Sequence, residues 1–392
     1  MPNRLSGALV IGGDFQGLGT LLSLSKRGIP TYLIDSELSI GRFSRQKDKF
    51  LRCPDLKNEN TFLNFLKKLA HEENLWGWVV FANDDETIRF LSQHKEELEK
   101  FYKIPVPDWS IINNIYNKIL TYRVAEEINV SAPKTFIPKN IGSLSQLNLE
   151  FPVIIKPAIR DHFYKKTKVK AVKALNMEQL LKGYQRVCTI IDPSEVVIQE
   201  LIPGKASNLY SLGAFFKDGK MLAKVIAKRS RQHPMEFGHA TTYAETVNIP
   251  ILEDLGTKLL KALNYYGLAE VEFMYDPRDG QYKFIEVNGR VWGWHTLAGA
   301  AGVDLPYLLY RDLMGKKIST NGSFTEGVKW IRPITDIPTA FLELVRGRMR
   351  LRDYFSSLKG KKEFAPNLSL HDPLPFLMEF ILLPYLWKKR GF

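Results

Sequence analysis

The chain has 392 residues, of which 45% are hydrophobic and 25% charged, proportions that are ordinary for a globular protein of two or three domains. A formal net charge of +13 favours anionic partners such as nucleotides, acidic substrates, nucleic acid or a membrane surface. Two cysteines give no disulfide framework or zinc spacing, and the N-terminal residues lack a secretion signal, so we expect a cytoplasmic protein.

The first predicted unit is a strand–helix–strand opening. Residues 7–12 form a short apolar strand, a helical pattern follows, and residues 30–35 read as a second strand. A dinucleotide fingerprint would need a glycine at position 14, where the chain has Asp14. Because that glycine lets the backbone approach a pyrophosphate, we favour a plain strand-to-helix turn and disfavour an oxidoreductase.

Further along, residues 76–82 read as a buried strand, and residues 83–86 fit the cap of the helix that follows. Capping accounts for the chemistry of Asp84 and Asp85, which are only weak candidates for contact with a substrate. Pro105 and Pro107 mark a linker, after which residues 109–128 are predicted to be helical.

Two lysines stand at the ends of predicted elements. Lys118 opens a helix, and Lys156 closes the apolar strand of residues 151–157. Lysines on different elements can hold the phosphates of one nucleotide as point charges. A solvated surface lysine explains either residue equally simply, although Lys156 ends a fully apolar run, where a chance lysine is less expected.

A cluster of cations occupies residues 228–234, directly after a predicted hairpin. It suits an acidic substrate or a transferring phosphate, and Arg231 is our first candidate for that contact. Readers of nucleic acid also use basic clusters, but here we find no interleaved aromatic residues and no helix-turn-helix or zinc signature. No specific nucleic-acid partner is therefore expected.

Residues 268–295 contain the pattern with the most chemistry. Alternation predicts two antiparallel strands, with Glu272 on the first and Glu286, Asn288 and Arg290 in one row on the second. Two carboxylates and an amide oxygen suit Mg²⁺, and an arginine beside them suits a transferring phosphoryl group. The alternative is that these residues are only the solvent-facing side of a hairpin.

The sequence VEFMYD followed by FIEVNGR in this hairpin resembles the metal-binding hairpin of the ATP-grasp superfamily, and its carbamoyl-phosphate-synthetase-like group in particular. The resemblance covers roughly residues 8–315. It implies an α/β protein whose ATP-grasp part is α+β. We expect a Rossmann-like domain (1–108), a two-lobed ATP-grasp domain (109–320, with its lid lobe at about 130–200) and a basic, partly helical C-terminal extension (321–392).

The same resemblance implies the activity and its residues. The expected protein is an ATP- and Mg²⁺-dependent ligase (Mn²⁺ being an alternative metal) that joins a small carboxylate to an amine through an acyl phosphate. The alternatives are an ATP-grasp kinase and a nucleotide-binding scaffold without turnover. The expected nucleotide contacts are Lys118, Lys156, Gln199, Glu200, Leu201 and Ile202, the metal ligands Glu272, Glu286 and Asn288, and the catalytic residues Arg231 and Arg290.

One departure from the family concerns residues 158–170, where a glycine-rich lid loop is usual and this chain has no glycine. Side-chain cations could replace the backbone cradle for phosphate, the segment could bind an anionic acceptor, or it could be an exposed turn.

The C-terminal residues 373–390 form an apolar run that is too short to span a bilayer and ends in cations. It could dock on the globular body, mediate formation of a homodimer, or lie in the interface of the inner membrane face. We favour docking or oligomerisation, because apolar C-terminal helices more often cover a core.

Overall fold

The computed structural model describes residues 6–390 apart from positions 205, 237, 239, 319–321 and 370. The described residues form three sheets with helices on their faces, which confirms the predicted α/β class.

The first sheet has five parallel strands in the order β3–β2–β1–β4–β5, as predicted for a Rossmann-like unit. Its strands are β1 (Ala8–Ile11), β2 (Thr31–Asp35), β3 (Lys49–Arg52), β4 (Trp78–Ala82) and β5 (Tyr102–Lys103). Its helices are α1 (Phe15–Ser25), α2 (Glu59–Glu72), α3 (Asp85–Gln93) and α4 (Lys95–Leu98). Helix α2 begins where Asn58 accepts a hydrogen bond from the Thr61 N–H, and it buries Phe62, Leu66 and Leu69 in the core.

Two helices, α5 (Trp109–Tyr116) and α6 (Lys118–Glu127), lead to a second, four-stranded antiparallel sheet of order β6–β9–β7–β8. Its elements are β6 (Thr135–Phe136), β7 (Val153–Pro157), α7 (Arg160–Thr167), β8 (Val172–Ala174), α8 (Met177–Cys188) and β9 (Val196–Glu200). This lobe has its own apolar core, which includes Ile155, Leu180 and Ile198.

The glycine-free segment 158–170 is not a loop, contrary to our expectation. It contains helix α7, which ends at Lys168 in the left-handed conformation (φ 59°). Without glycine the segment cannot form a backbone cradle for phosphate. Glycine destabilises helices, so its absence also allows a helix to form here.

The third sheet has seven strands in the order β14–β13–β10–β11–β12–β15–β16. Its strands are β10 (Leu209–Lys217), β11 (Lys220–His233), β12 (Ala240–Thr246), β13 (Gly267–Asp276), β14 (Gln281–Asn288), β15 (Lys329–Ile331) and β16 (Lys362–Phe364). The remaining helices are α9 (Pro250–Ala262), α10 (Thr296–Ala300), α11 (Leu305–Leu313), α12 (Pro333–Val345), α13 (Leu351–Ser357), α14 (Leu374–Ile381) and α15 (Leu383–Arg390).

The C-terminal part continues the body of the protein. β15 pairs with β12 and β16 with β15, so the third sheet extends beyond the boundary that we expected near residue 320. Helix α14 docks through a buried ion pair between Glu379 and Arg332, and Asp372 just before it accepts a hydrogen bond from Ser44 (2.5 Å). In the described part of the chain, no helix combines the length and the apolar character needed to cross a membrane.

Candidate active site

A cleft of about 1940 Å³ lies where the three sheets meet, and the predicted metal ligands line it. Strands β13 and β14 pair so that Glu272 lies opposite Glu286, and Glu270 opposite Asn288. The side-chain amide of Asn288 donates to Glu270 Oε2 and Glu272 Oε1, both at 3.2 Å. The hairpin thus gathers three carboxylates and one amide at the same place.

Two cations compensate these carboxylates. Arg229 on β11 lies 2.7 Å from Glu272 Oε1 and 3.4 Å from Glu270 Oε1, and Lys118 forms an ion pair with Glu286. Burial alone would raise the pKa of Glu286, but the ammonium groups of Lys118, Lys170 and Lys156 together outweigh it, and the pKa lies below its ordinary range. Glu286 is therefore an anion at neutral pH.

The third carboxylate behaves differently. Burial, followed by the neighbouring charge of Glu272, raises the pKa of Glu270, and Trp294 Nε1 donates to its Oε1 at 2.7 Å. Glu270 thus anchors Trp294 and orients Asn288, and these contacts leave Glu272 and Glu286 as the carboxylates available to a ligand.

The side chain of Lys156 is buried, with 8% exposed, and its two hydrogen-bond partners are uncharged. Its Nζ donates to Tyr122 Oη and to Gln199 Oε1, both at 2.7 Å. Burial and the nearby charge of Lys118 lower the pKa of Lys156 to about 7. A buried lysine without a carboxylate partner is prepared for an anion that arrives from outside the protein.

The predicted nucleotide segment at the end of β9 also faces the cleft, which is lined by Gln199, Glu200, Leu201 and Ile202. The carboxylate of Glu200 accepts from the Lys134 N–H at 2.7 Å and pairs with Arg278 at 3.1 Å. Glu200 is thus held by the entry to β6 and by the β13–β14 turn, so the segment joins two lobes.

The structure places Arg231 away from the cleft, which corrects our first choice of substrate contact. Its guanidinium binds both oxygens of Asp336, at 2.7 and 2.9 Å, and lies over the ring of Tyr243. The cause is a bulge in β11, where the two residues between Lys228 and Arg231 lie opposite the single residue Ala244 of β12. The bulge reverses the alternation, so the cleft receives Arg229 instead.

Arg290 lies in the cleft lining but is tied to the N-terminal unit. Its Nε donates to Asp85 Oδ1 at 2.7 Å, and a terminal nitrogen lies 3.4 Å from Asn288 Oδ1. Burial would raise the pKa of Asp85. The positive charges of Arg290 and, to a smaller extent, Arg160 lower it, and the pKa lies below its ordinary value. Arg290 therefore fixes the end of β14 against the first turn of α3.

The strand-to-helix turn after β1 forms another wall of the cleft. Asp35 Oδ2 accepts a hydrogen bond from the Gly13 N–H at 2.7 Å, so this carboxylate holds the turn together. A Cβ at Gly17 would come within 1.9 Å of the Gly12 carbonyl oxygen, which explains glycine there by close packing alone.

A magnesium ion fits the donor set of this cleft. Glu272 and Glu286 supply two carboxylates, and Asn288 supplies an amide oxygen on the same wall. Among the described residues, no group of three or more His, Cys, Asp or Glu side chains is placed to hold a metal by itself. Mg²⁺ commonly needs only one or two carboxylates, because waters and substrate phosphates complete its shell.

Two further cleft residues were missed by the sequence analysis. Glu270 lies in the same alternating row as Glu272, and that spacing could have identified it. Lys170 follows helix α7, donates to the Gly238 carbonyl oxygen at 2.5 Å, and has a pKa lowered to about 8, mainly by burial. Only the three-dimensional fold brings Lys170 to the cleft.

The chain is similar in sequence to a known protein family and to a ligase. The family model for the carbamoyl-phosphate synthase L chain, ATP binding domain, matches residues 225–320, which include the β13–β14 hairpin. The D-aspartate ligase of Enterococcus faecium is 28% identical over 253 residues, which cover 60% of this chain. The chain spans 59% of the length of that relative.

Solved structures share the architecture. The L-amino acid ligase of Bacillus licheniformis superposes with a TM-score of 0.64 at 15% identity, covering 83% of this chain and 78% of that one. The biotin carboxylase domain of the Hydrogenobacter thermophilus 2-oxoglutarate carboxylase, solved with MgADP and bicarbonate, gives 0.66 at 16% identity, covering 83% and 74%. Together with the composition of the cleft, these similarities support the predicted resemblance to the ATP-grasp carboxylate–amine ligases.

Proposed function

We propose that this protein is an ATP- and Mg²⁺-dependent ligase that activates a small carboxylate as an acyl phosphate and couples it to an amine. The observation that carries the proposal is the pairing of Glu272 with Glu286 in a cleft that also contains Lys118, Lys156 and Arg229. Phosphoryl transfer needs mainly positioning and charge stabilisation, and cations around a pair of metal-binding carboxylates supply both.

In this proposal the nucleotide lies between the second and third sheets. Lys118 and Lys156 contact its phosphates, and residues 199–202 hold its base through main-chain groups. Lys156 exchanges two neutral partners for phosphate oxygens, which favours its charged form. The metal would be held by Glu272, Glu286 and Asn288, where it would neutralise phosphate charge.

The substrate carboxylate would be held by Arg229, which takes the role that the sequence gave to Arg231, and by the neighbouring Arg290. A carboxylate oxygen forms a bond to the γ-phosphorus, while the bond from this phosphorus to the β–γ bridging oxygen breaks and ADP leaves. The amine nitrogen then attacks the acyl carbon, phosphate leaves, and the amine gives up a proton. The products are an amide, ADP and phosphate.

The free state of both cysteines agrees with a cytoplasmic location. Cys53 and Cys188 are both free thiols, as a reducing compartment would keep them. The proposed substrates are small molecules, and they would enter the cleft between the lobes.

The experiment that tests this function measures ADP release with ATP and Mg²⁺ against a panel of amino acids and small acids, with hydroxylamine present to trap an acyl phosphate as a hydroxamate. We expect a low basal rate that one class of acid stimulates, with hydroxamate formed in proportion to ADP. Formation of AMP and pyrophosphate would refute the acyl-phosphate route. A phosphorylated alcohol would identify a kinase, and nucleotide binding without turnover would identify a scaffold.

A second prediction concerns Glu286. The substitution Glu286→Gln removes a metal-binding charge and the partner of Lys118, so we expect ADP release to fall by about two orders of magnitude or more in a folded protein. The exposed Glu326→Gln serves as the control and should leave the rate unchanged. Near-normal turnover of the Glu286 variant with magnesium still required would contradict the metal assignment.

The third prediction separates two neighbouring arginines. Arg229→Gln should lower kcat/KM for the acid substrate, because the cleft loses a cation, and it should also lower the free energy of unfolding, because Glu272 is left without its partner. Arg231→Gln should lower the free energy of unfolding by about 3 kcal/mol, because it leaves Asp336 buried without its partner, and it should leave kcat/KM near the wild-type value. Thermal unfolding and steady-state kinetics on both variants check this. The opposite result, with catalysis lost only in the Arg231 variant, would restore the original assignment.

A further inference from the structure

Helix α12 turns its polar side chains toward the protein. Asp336, Thr339 and Glu343 are all buried, with exposed fractions of 0, 2 and 5%. Asp336 accepts the bidentate pair from Arg231, and the hydroxyl of Thr339 lies 2.9 Å from His233 Nδ1. Asp336 and Thr339 therefore hold this helix to the third sheet.

The outer face of α12 is apolar and exposed. Ile337, Phe341 and Val345, which are spaced four residues apart, are 59, 63 and 70% exposed, and Leu342 beside them is 42% exposed. A surface helix in water normally has the reverse arrangement, with its apolar stripe against the core. This inversion means that the outer face suits an apolar or amphipathic surrounding.

The same surface continues in the next helices. On α13, Leu351 and Phe355 are both 58% exposed. Helix α14, which the Glu379–Arg332 ion pair ties to the start of α12, adds exposed apolar residues of its own. The outer face is defined here by the side chains of Ile337, Phe341, Leu342, Val345, Leu351 and Phe355.

Cations are concentrated beside this outer face. Residues 346–362 contain seven lysines and arginines and one carboxylate, Asp353. Arg346, Arg348, Arg350 and Arg352 are all exposed and alternate along the stretch between α12 and α13. Apolar side chains next to a one-signed row of cations are the combination that binds the boundary between headgroups and acyl chains in an anionic membrane.

We propose that the outer face is a docking surface for an anionic lipid bilayer, with Phe341 and Val345 entering the headgroup boundary and Arg350 and Arg352 contacting lipid phosphates. A second copy of the chain fits less well. A twofold interface would bring the same face of both subunits together, so two rows of arginines would share one interface with Asp353 as the only carboxylate of residues 346–362 to compensate them.

The outer face is also connected to the cleft. Glu343, at the inner side of α12, and Gly347, Arg348 and Met349, which follow its end, belong to the cleft lining. One short segment thus contributes both to the docking surface and to the wall of the candidate active site. A docked protein would therefore work on substrates close to the membrane surface.

The test is co-sedimentation of the full chain with phosphatidylcholine vesicles and with vesicles that also contain phosphatidylglycerol. We expect binding only to the anionic vesicles, weakening as salt is raised. The double substitution Phe341→Ser and Val345→Ser should weaken binding about tenfold, and so should Arg350→Glu with Arg352→Glu. All four residues are exposed, so the variants should unfold like the wild type.

The control for the apolar variant is Leu175→Ser, which removes an apolar side chain that is 56% exposed elsewhere on the protein. The control for the arginine variant is Lys100→Glu with Lys220→Glu, which changes the net charge by the same amount at exposed positions away from the outer face. Equal vesicle binding by the Phe341/Val345 variant and the wild type would overturn the proposal. The proposal would also be overturned if the wild type formed a dimer and did not bind vesicles, and if the Phe341/Val345 variant abolished that dimer. Hydrogen exchange on the wild type provides a check without substitutions, since vesicles should protect residues 337–355, and protection only elsewhere would contradict the proposal.

Discussion

The ion pairs of Arg229 with Glu272 and of Lys118 with Glu286 are the interactions on which the cleft depends. Three carboxylates close together on one hairpin would repel one another, and the buried Glu270 and Glu272 would also lose their hydration. The two cations come from β11 and from the first residue of α6, so charge compensation also fixes the third sheet against the helices that lead to the second. The site is therefore assembled only when these parts of the chain pack together.

Lys156 is the exception to this compensation, and its position explains what the cleft is prepared to bind. Its ammonium donates only to Tyr122 and Gln199, which carry no charge, and burial lowers its pKa to about 7. Lys170, with a pKa of about 8, is a second, partly buried cation in the same cleft. A polyanion that enters the cleft gains two cations whose charge the protein itself does not neutralise.

The sequence contained the essential part of the site, because strand alternation is local. Glu272, Glu286 and Asn288 line the cleft together as predicted from their spacing. The sequence could not show that Arg229, and not Arg231, faces the cleft, because this depends on a bulge in β11 that forms where it pairs with β12. Strands β15 and β16 have three residues each and form only through long-range pairing, and the inverted face of α12 depends on Arg231 and His233 from another element.

The central claim is that the buried Lys156, about half protonated near pH 7 in the free protein, becomes fully charged when a nucleotide binds. At about pH 8 the free ammonium has mostly lost its proton, and phosphate contacts would raise its pKa and draw a proton from solvent. Titration calorimetry of MgADP binding in two buffers of different ionisation enthalpy measures this uptake. The account predicts net proton uptake that falls in Lys156→Arg, whose guanidinium is always protonated. Binding without uptake, or equal uptake in that variant, would contradict it.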